Sequence, residues 1–421
     1  MLRKIMVLTV VILLLGTGIV SGFNVNPDDE PKPLNLGNIL YVGGTGEGNY
    51  TKIQDAIDNT SDGDTVFVYD DSSPYYENLV VNKSINLFGE NQNTTILKAN
   101  EGGTGINITT DNVSISNFYV KDYEYPIIGE SCAYLSISNN TFSKNYTKAM
   151  KRMKFLSVTY CTFTQNTIID YESNLFELSS FCTISNNNFI CNCRHGGIDL
   201  LYGSCNNIVT HNLFGGLNRS GSIDLAYQSN YNTISNNVFT IPKREGTSSI
   251  MVCQYSEYNS IYMNVIEYIG PYLGYNGHIG MEIHSDAINN NFSMNTIINC
   301  SIAFYVSDSY NNSFYMNDII NCVSGIEFWG MENTTTQRTD LPFFNYVLNN
   351  NFQRVLFKGL SRWFYESVST YWHGNYWGRP RAIPKLILGY KMIQTIIPVP
   401  AQIEFDLRPA LKPYDIPKVA I

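Results

Sequence analysis

The sequence predicts an all-β protein in which the chain winds as a parallel β-helix. One phrase recurs along the chain, with its clearest copies at Ile137–Phe142, Ile184–Phe189 and Ile234–Phe239. Each copy alternates apolar and polar residues, which is the pattern of a short, half-buried strand. No segment between the copies sustains a helical spacing, which argues against a leucine-rich or helical solenoid.

The length of the repeat indicates the size of one coil. Its apolar anchors are 21 to 27 residues apart, which is enough for three short strands and three turns. The anchors are Phe142, Phe163, Phe189, Phe214, Phe239 and Ile266, continued by Ile297 and Ile319.

An asparagine occupies the fourth position of each copy of the phrase. Asparagine tolerates the left-handed backbone conformation better than other non-glycine residues, so we expect this position to form a turn. Stacked at one turn, the side-chain amides would hydrogen-bond from coil to coil as an asparagine ladder. The predicted ladder residues are Asn140, Asn187, Asn212, Asn237, Asn264, Asn295, Asn317 and Asn350.

Composition excludes several classes of protein. The 421 residues are 44% hydrophobic, which rules out a wholly disordered chain. Only 15% are charged, against roughly 25% in an average domain, so the 30 Tyr and about 50 Asn must supply much of the polar surface. A net charge of −9 argues against a nucleic-acid partner, and five His offer little for a multi-histidine metal centre.

The first residues predict export to the cell surface or the medium. Arg3 and Lys4 precede an apolar run over Ile5–Val20, and small residues follow at Ser21 and Gly22. This order is typical of a signal peptide over residues 1–22, followed by a linker over 23–37. The alternative is an uncleaved segment, which would be the protein's only contact with a membrane.

A short helix is predicted ahead of the first coils. Ile53, Ala56 and Ile57 share one face, and Thr51 or Asn49 could cap the N-terminus. The helix would cover the start of the β-helix.

Residues 50–59, followed by the strand pattern at Asp62–Val68, resemble the opening of the right-handed parallel β-helix superfamily with the pectin-lyase fold. The chain is most similar to NosD-like proteins and to the carbohydrate-binding and sugar-hydrolase type of exported archaeal and bacterial proteins. The resemblance covers roughly residues 37–378. It implies one single-stranded right-handed β-helix over residues 38–378, and it specifies function only weakly.

The remaining residues, 379–421, are expected to form an irregular C-terminal cap. An open end of the solenoid exposes strand edges and core, which need a cover. We expect Trp377, Ile387, Phe405 and Tyr414 to pack over the last coil.

Carboxylates recur at one register of the repeat. Asp199, Asp224 and Glu282 each lie ten residues before the first residue of a repeat copy, and their apolar neighbours should point inward. We therefore expect the three carboxylates to face outward in one row, with Glu327 continuing it. Arginines lie five residues before two of the acids, and tyrosines recur nearby. These candidate binding residues are Arg194, Arg219, Tyr202, Tyr227 and Tyr255.

Three functions fit this outward strip. The first is binding of a polysaccharide or cell-surface glycan without turnover. The second is cleavage, either as a glycosidase, for which Asp199, Asp224 and Glu282 are the catalytic candidates, or as a lyase. Lyases of this fold act on acidic sugars and usually bind calcium, the one cofactor that the resemblance implies. The third is a structural or adhesive role in the cell envelope, with the strip as a solvated polar face.

Sulfur-containing residues give a weaker signal. NosD-like proteins are associated with copper-site maturation, and Met263, Met294 and Met316 share one position of the repeat. We expect these side chains to point inward as core residues, which makes a copper role the least favoured function. Of the nine cysteines, Cys300 and Cys322 align between coils, and stacked strands are too far apart for an easy disulfide, so we expect free thiols.

Overall fold

Three parallel sheets run through the protein, because most coils contribute one strand to each. The structure is a computed structural model, and it describes residues 37–100, 102–144, 152–171, 174–190, 196–216, 222–242, 248–270, 277–330, 344–355, 357–363, 369–393 and 397–417. The predicted signal peptide and most of the predicted linker lie outside these residues. Residues 37–421 belong to one compact unit. The predicted fold class, a right-handed parallel β-helix, is confirmed.

Sheet A collects the strand that begins each copy of the repeated phrase, and its neighbours pair in parallel. Its strands are β1 Ile39–Val42, β2 Thr65–Val68, β4 Asn86–Gly89, β7 Ser114–Ser116, β10 Ser136–Ser138, β13 Thr162–Thr164, β16 Thr183–Ser185, β19 Ile208–Thr210, β22 Thr233–Ser235, β25 Ser260–Tyr262, β28 Asn291–Ser293, β31 Ser313–Tyr315, β34 Phe344–Leu348 and β37 Ser369–His373.

Sheet B collects the strand that ends each phrase. Its strands are β5 Ile96–Lys98, β8 Tyr119–Lys121, β11 Thr141–Ser143, β14 Thr167–Ile169, β17 Asn188–Ile190, β20 Leu213–Gly215, β23 Val238–Ile241, β26 Val265–Tyr268, β29 Thr296–Ile298, β32 Asp318–Ile320 and β35 Asn351–Gln353.

Sheet C lies between sheet B of one coil and sheet A of the next, and its last two strands pair antiparallel. Its strands are β3 Leu79–Val81, β6 Thr104–Ile108, β9 Tyr125–Glu130, β12 Lys154–Leu156, β15 Asn174–Glu177, β18 Gly197–Leu201, β21 Ser222–Leu225, β24 Ser248–Cys253, β27 Ile279–His284, β30 Ile302–Ser307, β33 Ser324–Gly330, β36 Phe357–Trp363, β38 Lys385–Ile393 and β39 Ile397–Asp406.

An asparagine ladder joins the coils at the turn between sheets A and B. At Asn237, the side-chain Oδ1 accepts from the backbone N–H of Asn212 at 3.0 Å and from its Nδ2 at 3.0 Å. Asn237 Nδ2 in turn donates to Asn264 Oδ1 at 3.0 Å and to the backbone O of Val209 at 2.9 Å. All eight asparagines of the predicted ladder are buried and make bonds of this kind.

Asn166 and Asn375 also belong to the ladder, although the sequence analysis did not include them. Asn166 was missed because Phe163 was taken as an anchor of sheet B. The register instead places Phe163 in sheet A, paired with Ile137, and gives the anchor position to Ile168.

The left-handed residue of this turn lies one position earlier than expected. Asn236 has φ 55°, and the ladder residue that follows it, Asn237, is not left-handed. The three methionines occupy this left-handed position, with φ of 54° at Met263, 53° at Met294 and 52° at Met316. Their side chains are half-buried at the turn, so the expectation that they point into the core was wrong.

A second asparagine ladder lies at the turn between sheets C and A, five residues before the first. Asn207 accepts from the backbone N–H of Cys182 at 2.9 Å and donates through Nδ2 to Asn232 Oδ1 at 3.1 Å. The series runs through buried asparagines at one position of successive coils. Its members are Asn207, Asn232, Asn259, Asn290, Asn312 and Asn345.

The interior between the ladders is apolar and aromatic. Phe214 stacks between Phe189 and Phe239, with ring centroids 4.8 Å and 4.5 Å apart. Cys300 and Cys322 are buried free thiols, as expected. Alternation along each strand thus places its inward apolar side chains in a narrow, continuous core.

A short helix, α1 Ile53–Asp58, covers the first coils and buries Ile53, Ala56 and Ile57 as predicted. Neither Thr51 nor Asn49 caps it. The two carboxylate oxygens of Glu77 instead accept from the backbone N–H groups of Ile53 at 2.8 Å and Gln54 at 2.9 Å. Across the residues that the structure describes, no helix has the length and hydrophobicity needed to cross a bilayer.

The C-terminal segment covers the last coil with a hairpin rather than with wholly irregular chain, since β38 and β39 pair antiparallel. Trp377 and Ile387 are buried as predicted, and Tyr414 donates its hydroxyl to the backbone O of Gly374 at 2.7 Å. Phe405, however, is 48% exposed, so its predicted packing was wrong.

The buried residue next to Phe405 is Asp406, whose carboxylate ends the first ladder. It accepts from the backbone N–H and Nδ2 of Asn375 at 2.9 and 3.2 Å and from Trp377 Nε1 at 3.0 Å. The last donors of the ladder therefore meet an acceptor that has no protons of its own to donate.

Replacing Asn237 by Leu should lower the free energy of unfolding by about 3 kcal/mol or more, because buried donors on Asn212 and the Val209 carbonyl lose their partners. The melting temperature measures this loss. The neighbouring change Asn236→Gly is the control, since glycine keeps the left-handed turn and no ladder bond is removed. A melting temperature unchanged in Asn237→Leu would contradict a stabilising ladder.

Candidate functional site

The outer face of sheet C carries one row of side chains in exact register from coil to coil. Asp199 pairs with Asp224, Asp224 with Met251, and Met251 with Glu282. The row continues to Tyr305 and then Glu327. We call these six residues the acidic row.

Strand alternation explains why the acidic row faces outward. Ile198 and Leu200 flank Asp199 and are both fully buried, and Ile223 and Leu225 do the same beside Asp224. The two aspartates are only half-buried. Because neighbouring strands of a sheet lie about 4.8 Å apart, the two carboxyl groups are close neighbours.

Burial changes the acidity of both aspartates, and proximity adds to the change at Asp224. Desolvation raises the pKa of Asp199 to about 6, against the opposing charge of Arg152. Desolvation also raises the pKa of Asp224 well above its usual range, and the charges of Asp199 and Glu282 raise it further, while a hydrogen bond from Ser222 lowers it. The pair can therefore hold a proton near neutral pH, which suits hydrogen-bond donation or general acid chemistry.

The other end of the acidic row is less accessible. Glu282 Oε1 lies 4.0 Å from His284 Nε2, a partner that the sequence analysis did not name. Burial, followed by the charge of Glu282, raises the pKa of Tyr305. Glu327 is completely buried and accepts from Trp329 Nε1 at 3.2 Å, so it cannot contact a large ligand in this arrangement.

Exposed tyrosines lie beside the acidic row, where sheet C turns toward sheet A. Tyr202 and Tyr227 are stacked with ring centroids 4.5 Å apart, and they are 48% and 42% exposed. Tyr255 is also exposed, but it follows Met251 by four residues, whereas Tyr227 follows Asp224 by three. It therefore lies one residue further along the turn than the stacked pair.

The predicted arginines cannot be placed against the acids. Arg194 and Arg219 fall on the connections between sheets B and C, in residues 191–195 and 217–221, which lie outside the described residues. The cation that influences Asp199 in the described part of the chain is Arg152, which the repeat spacing did not indicate.

The described residues contain no group of three or more His, Cys, Asp or Glu side chains that could hold a metal ion.

Comparison with known proteins gives one family match. Residues 93–268 match the family described as periplasmic copper-binding protein (NosD). No curated protein matches the chain.

Several solved structures are similar at low identity. A double mutant of a periplasmic alginate epimerase, AlgG, is 12% identical over 77% of this chain and 82% of its own, with a TM-score of 0.44. The A-module of the Azotobacter vinelandii mannuronan C-5 epimerase AlgE6 is 12% identical over 76% and 92%, also with a TM-score of 0.44. A PL6 family polysaccharide lyase from Pseudopedobacter saltans is 11% identical over 74% and 84%, with a TM-score of 0.38.

The raised pKa values predict a pH dependence of stability. The folded chain keeps protons on Asp199 and Asp224 that the unfolded chain releases near pH 4, so stability should fall as the pH rises through about 6. Replacing both aspartates by Asn should remove this dependence and stabilise the protein at pH 7 by about 1 to 2 kcal/mol. Denaturation at pH 4 and pH 7 measures both effects. Glu47→Gln, at an exposed carboxylate, is the control, and a double variant with the wild-type pH dependence would refute the assignment.

Proposed function

We propose that this β-helix protein is exported and binds an extended carbohydrate along the outer face of sheet C. The observation that carries the proposal is the acidic row, because Asp199, Asp224, Glu282 and Tyr305 present hydrogen-bonding groups at the same register of the stacked coils, with Met251 between the second and the third. A line of groups spaced by one coil suits a polymer better than a small ligand. The low charge content and the net charge of −9 disfavour nucleic acid as that polymer.

The chemistry of the acidic row and the tyrosines suits sugar hydroxyls. Asp199 and Asp224 can accept hydrogen bonds when ionised and donate them when protonated, and the raised pKa of each favours the protonated form more than in a free aspartate. Tyr202 and Tyr227 add apolar ring edges with polar tips. If Arg194 and Arg219 reach this face, they would favour a carboxylated or sulfated sugar.

Cleavage of the bound glycan is the second candidate, and the pKa values of Asp199 and Asp224 favour it. Glycoside hydrolysis needs one protonated and one ionised carboxyl group, and a separation of about 5 Å suits the retaining mechanism. Asp224 would donate the proton and Asp199 would act as the nucleophile. A lyase reaction would also require a base and calcium, and a purely structural role would use neither carboxyl group.

A glycan array, read for both binding and cleavage, tests this proposal with three proteins. Asp199→Asn with Asp224→Asn should abolish any cleavage and leave the fold intact, and Arg194→Ala with Arg219→Ala should weaken binding about tenfold or more. Arg379→Ala changes an exposed arginine at the end of the β-helix and is the control. A glycan whose binding and turnover ignore all four changes would show that the acidic row is only a solvated face.

Export is tested by the N-terminus of the protein purified from its native source. We expect mass spectrometry to find cleavage near Gly22, since small residues follow the apolar run there. A full-length chain in the membrane fraction would indicate a retained anchor. A full-length chain in the cytoplasm would contradict export in either form.

A further inference from the structure

A second row of side chains runs along the turns between sheets C and A, and from Asn206 to Asn311 it lies at the residue just before each asparagine of the second ladder. We call it the aromatic row. The acidic row contains none of its residues, and every member is in the left-handed conformation. Its members are Asn112, Tyr134, Tyr160, Phe181, Asn206, Tyr231, Tyr258, Asn289 and Asn311.

Backbone hydrogen bonds fix the register of the aromatic row. The N–H of Phe181 donates to the carbonyl just before Asn206 at 3.3 Å, and the N–H of Asn206 donates to the carbonyl just before Tyr231 at 3.1 Å. Phe181, Asn206 and Tyr231 therefore occupy the same position in three consecutive coils.

Neither the backbone nor the core explains the aromatic residues. A left-handed position favours Asn, and a bulky residue there costs roughly 1–2 kcal/mol. The five aromatic side chains are 49 to 57% exposed, so burial does not select them either. Stacking offsets part of the cost, with ring centroids 5.2 Å apart for Tyr134 and Tyr160 and 5.3 Å for Tyr160 and Phe181.

The stacked series is interrupted at one coil. Tyr231 and Tyr258 resume it with centroids 5.2 Å apart, but Asn206 lies between Phe181 and Tyr231. At about 4.8 Å per coil, the two aromatic positions are about 9.6 Å apart. A ring placed midway would lie about 4.8 Å from each, which is within the range of stacked rings. The exposed amide of Asn206 is shorter than a tyrosine and forms the floor of this gap.

The three turns that form the gap carry no charged side chain, and the nearest acid along the row, Glu257, lies one coil beyond, where its backbone O accepts from the N–H of Tyr231 at 3.1 Å. The turn residues of its coil and of the coils on either side, 178–183, 203–208 and 228–233, include no Asp, Glu, Lys, Arg or His. An uncharged slot with two apolar walls and an amide floor suits a ring that has apolar faces and polar edges. A pyranose ring of a neutral saccharide has both.

We infer that the gap at Asn206 is a binding site for one pyranose ring of a neutral saccharide, held between Phe181 and Tyr231. The Asn206 amide would hydrogen-bond a ring hydroxyl, and the stack would become continuous from Tyr134 to Tyr258. This site is independent of the acidic row and stands whether or not the acidic row binds a glycan.

Filling the gap from the protein side tests the inference. Asn206→Tyr should complete the stack and reduce binding of neutral hexasaccharides at least tenfold, measured by titration calorimetry with cellohexaose, laminarihexaose and mannohexaose. Phe181→Ala and Tyr231→Ala should weaken binding by removing one wall each. Asn289→Tyr places the same side chain at the same turn position outside the gap, and we expect it to bind like the wild type. Circular dichroism checks that each variant folds.

Four results would overturn the inference. The first is that none of the three hexasaccharides binds the wild type at millimolar concentration. The second is that Asn206→Tyr and Asn289→Tyr bind a hexasaccharide equally well. The third is that adenosine binds to the wild type but not to Asn206→Tyr, while no saccharide binds. The gap would then be a site for a flat aromatic ring. Sedimentation of the wild type and Asn206→Tyr tests whether a second copy fills the gap instead. A dimer lost in Asn206→Tyr would assign the site to self-association.

Discussion

The hydrogen bonds of stacked asparagine amides are the constraint on which the rest of the structure depends. Each turn between sheets A and B would otherwise bury backbone groups without partners, which is costly in an apolar interior. Asparagine resolves this because its side chain both donates and accepts, so one residue per coil serves the coil on either side. An aspartate at these positions could only accept, and it would stack negative charges along the core.

The two ladders keep a fixed separation, and this spacing positions the surface. Asn207 and Asn212, Asn232 and Asn237, and Asn259 and Asn264 are each five residues apart, which holds the sheet A strands from β19 to β31 between two hydrogen-bonded turns. The connections from sheet B to sheet C vary in length, from the short one after Ile320 to the longer one after Tyr268. Surface residues that lie at a fixed sequence distance from a ladder asparagine therefore align from coil to coil.

The repeated phrase was sufficient to predict the fold and the position of the first ladder, because the periodicity comes directly from inward side chains. Counting back from it also placed Asp199, Asp224 and Glu282 in one row. The second ladder was not predicted, because a second periodic series of asparagines is hard to distinguish in a sequence that contains so many of them. Left-handed positions were misassigned by one residue, since asparagine occurs at both the third and the fourth positions of the phrase. The gap at Asn206 could not be inferred, because it is defined by stacking between residues about 25 positions apart in the sequence.

The side-chain-to-side-chain bonds of the first ladder also have a direction. Each ladder amide donates to the side-chain oxygen of the next ladder residue on the C-terminal side, and the last donors, on Asn375, meet the buried carboxylate of Asp406. An open solenoid end is a template on which another chain could add strands. A carboxylate has no proton to donate to a further amide, so the series of hydrogen bonds ends at Asp406 and cannot continue into another chain. In terms of assembly, the chain carries its own terminator against end-to-end fibre growth, built from the same kind of hydrogen bond that stacks its coils.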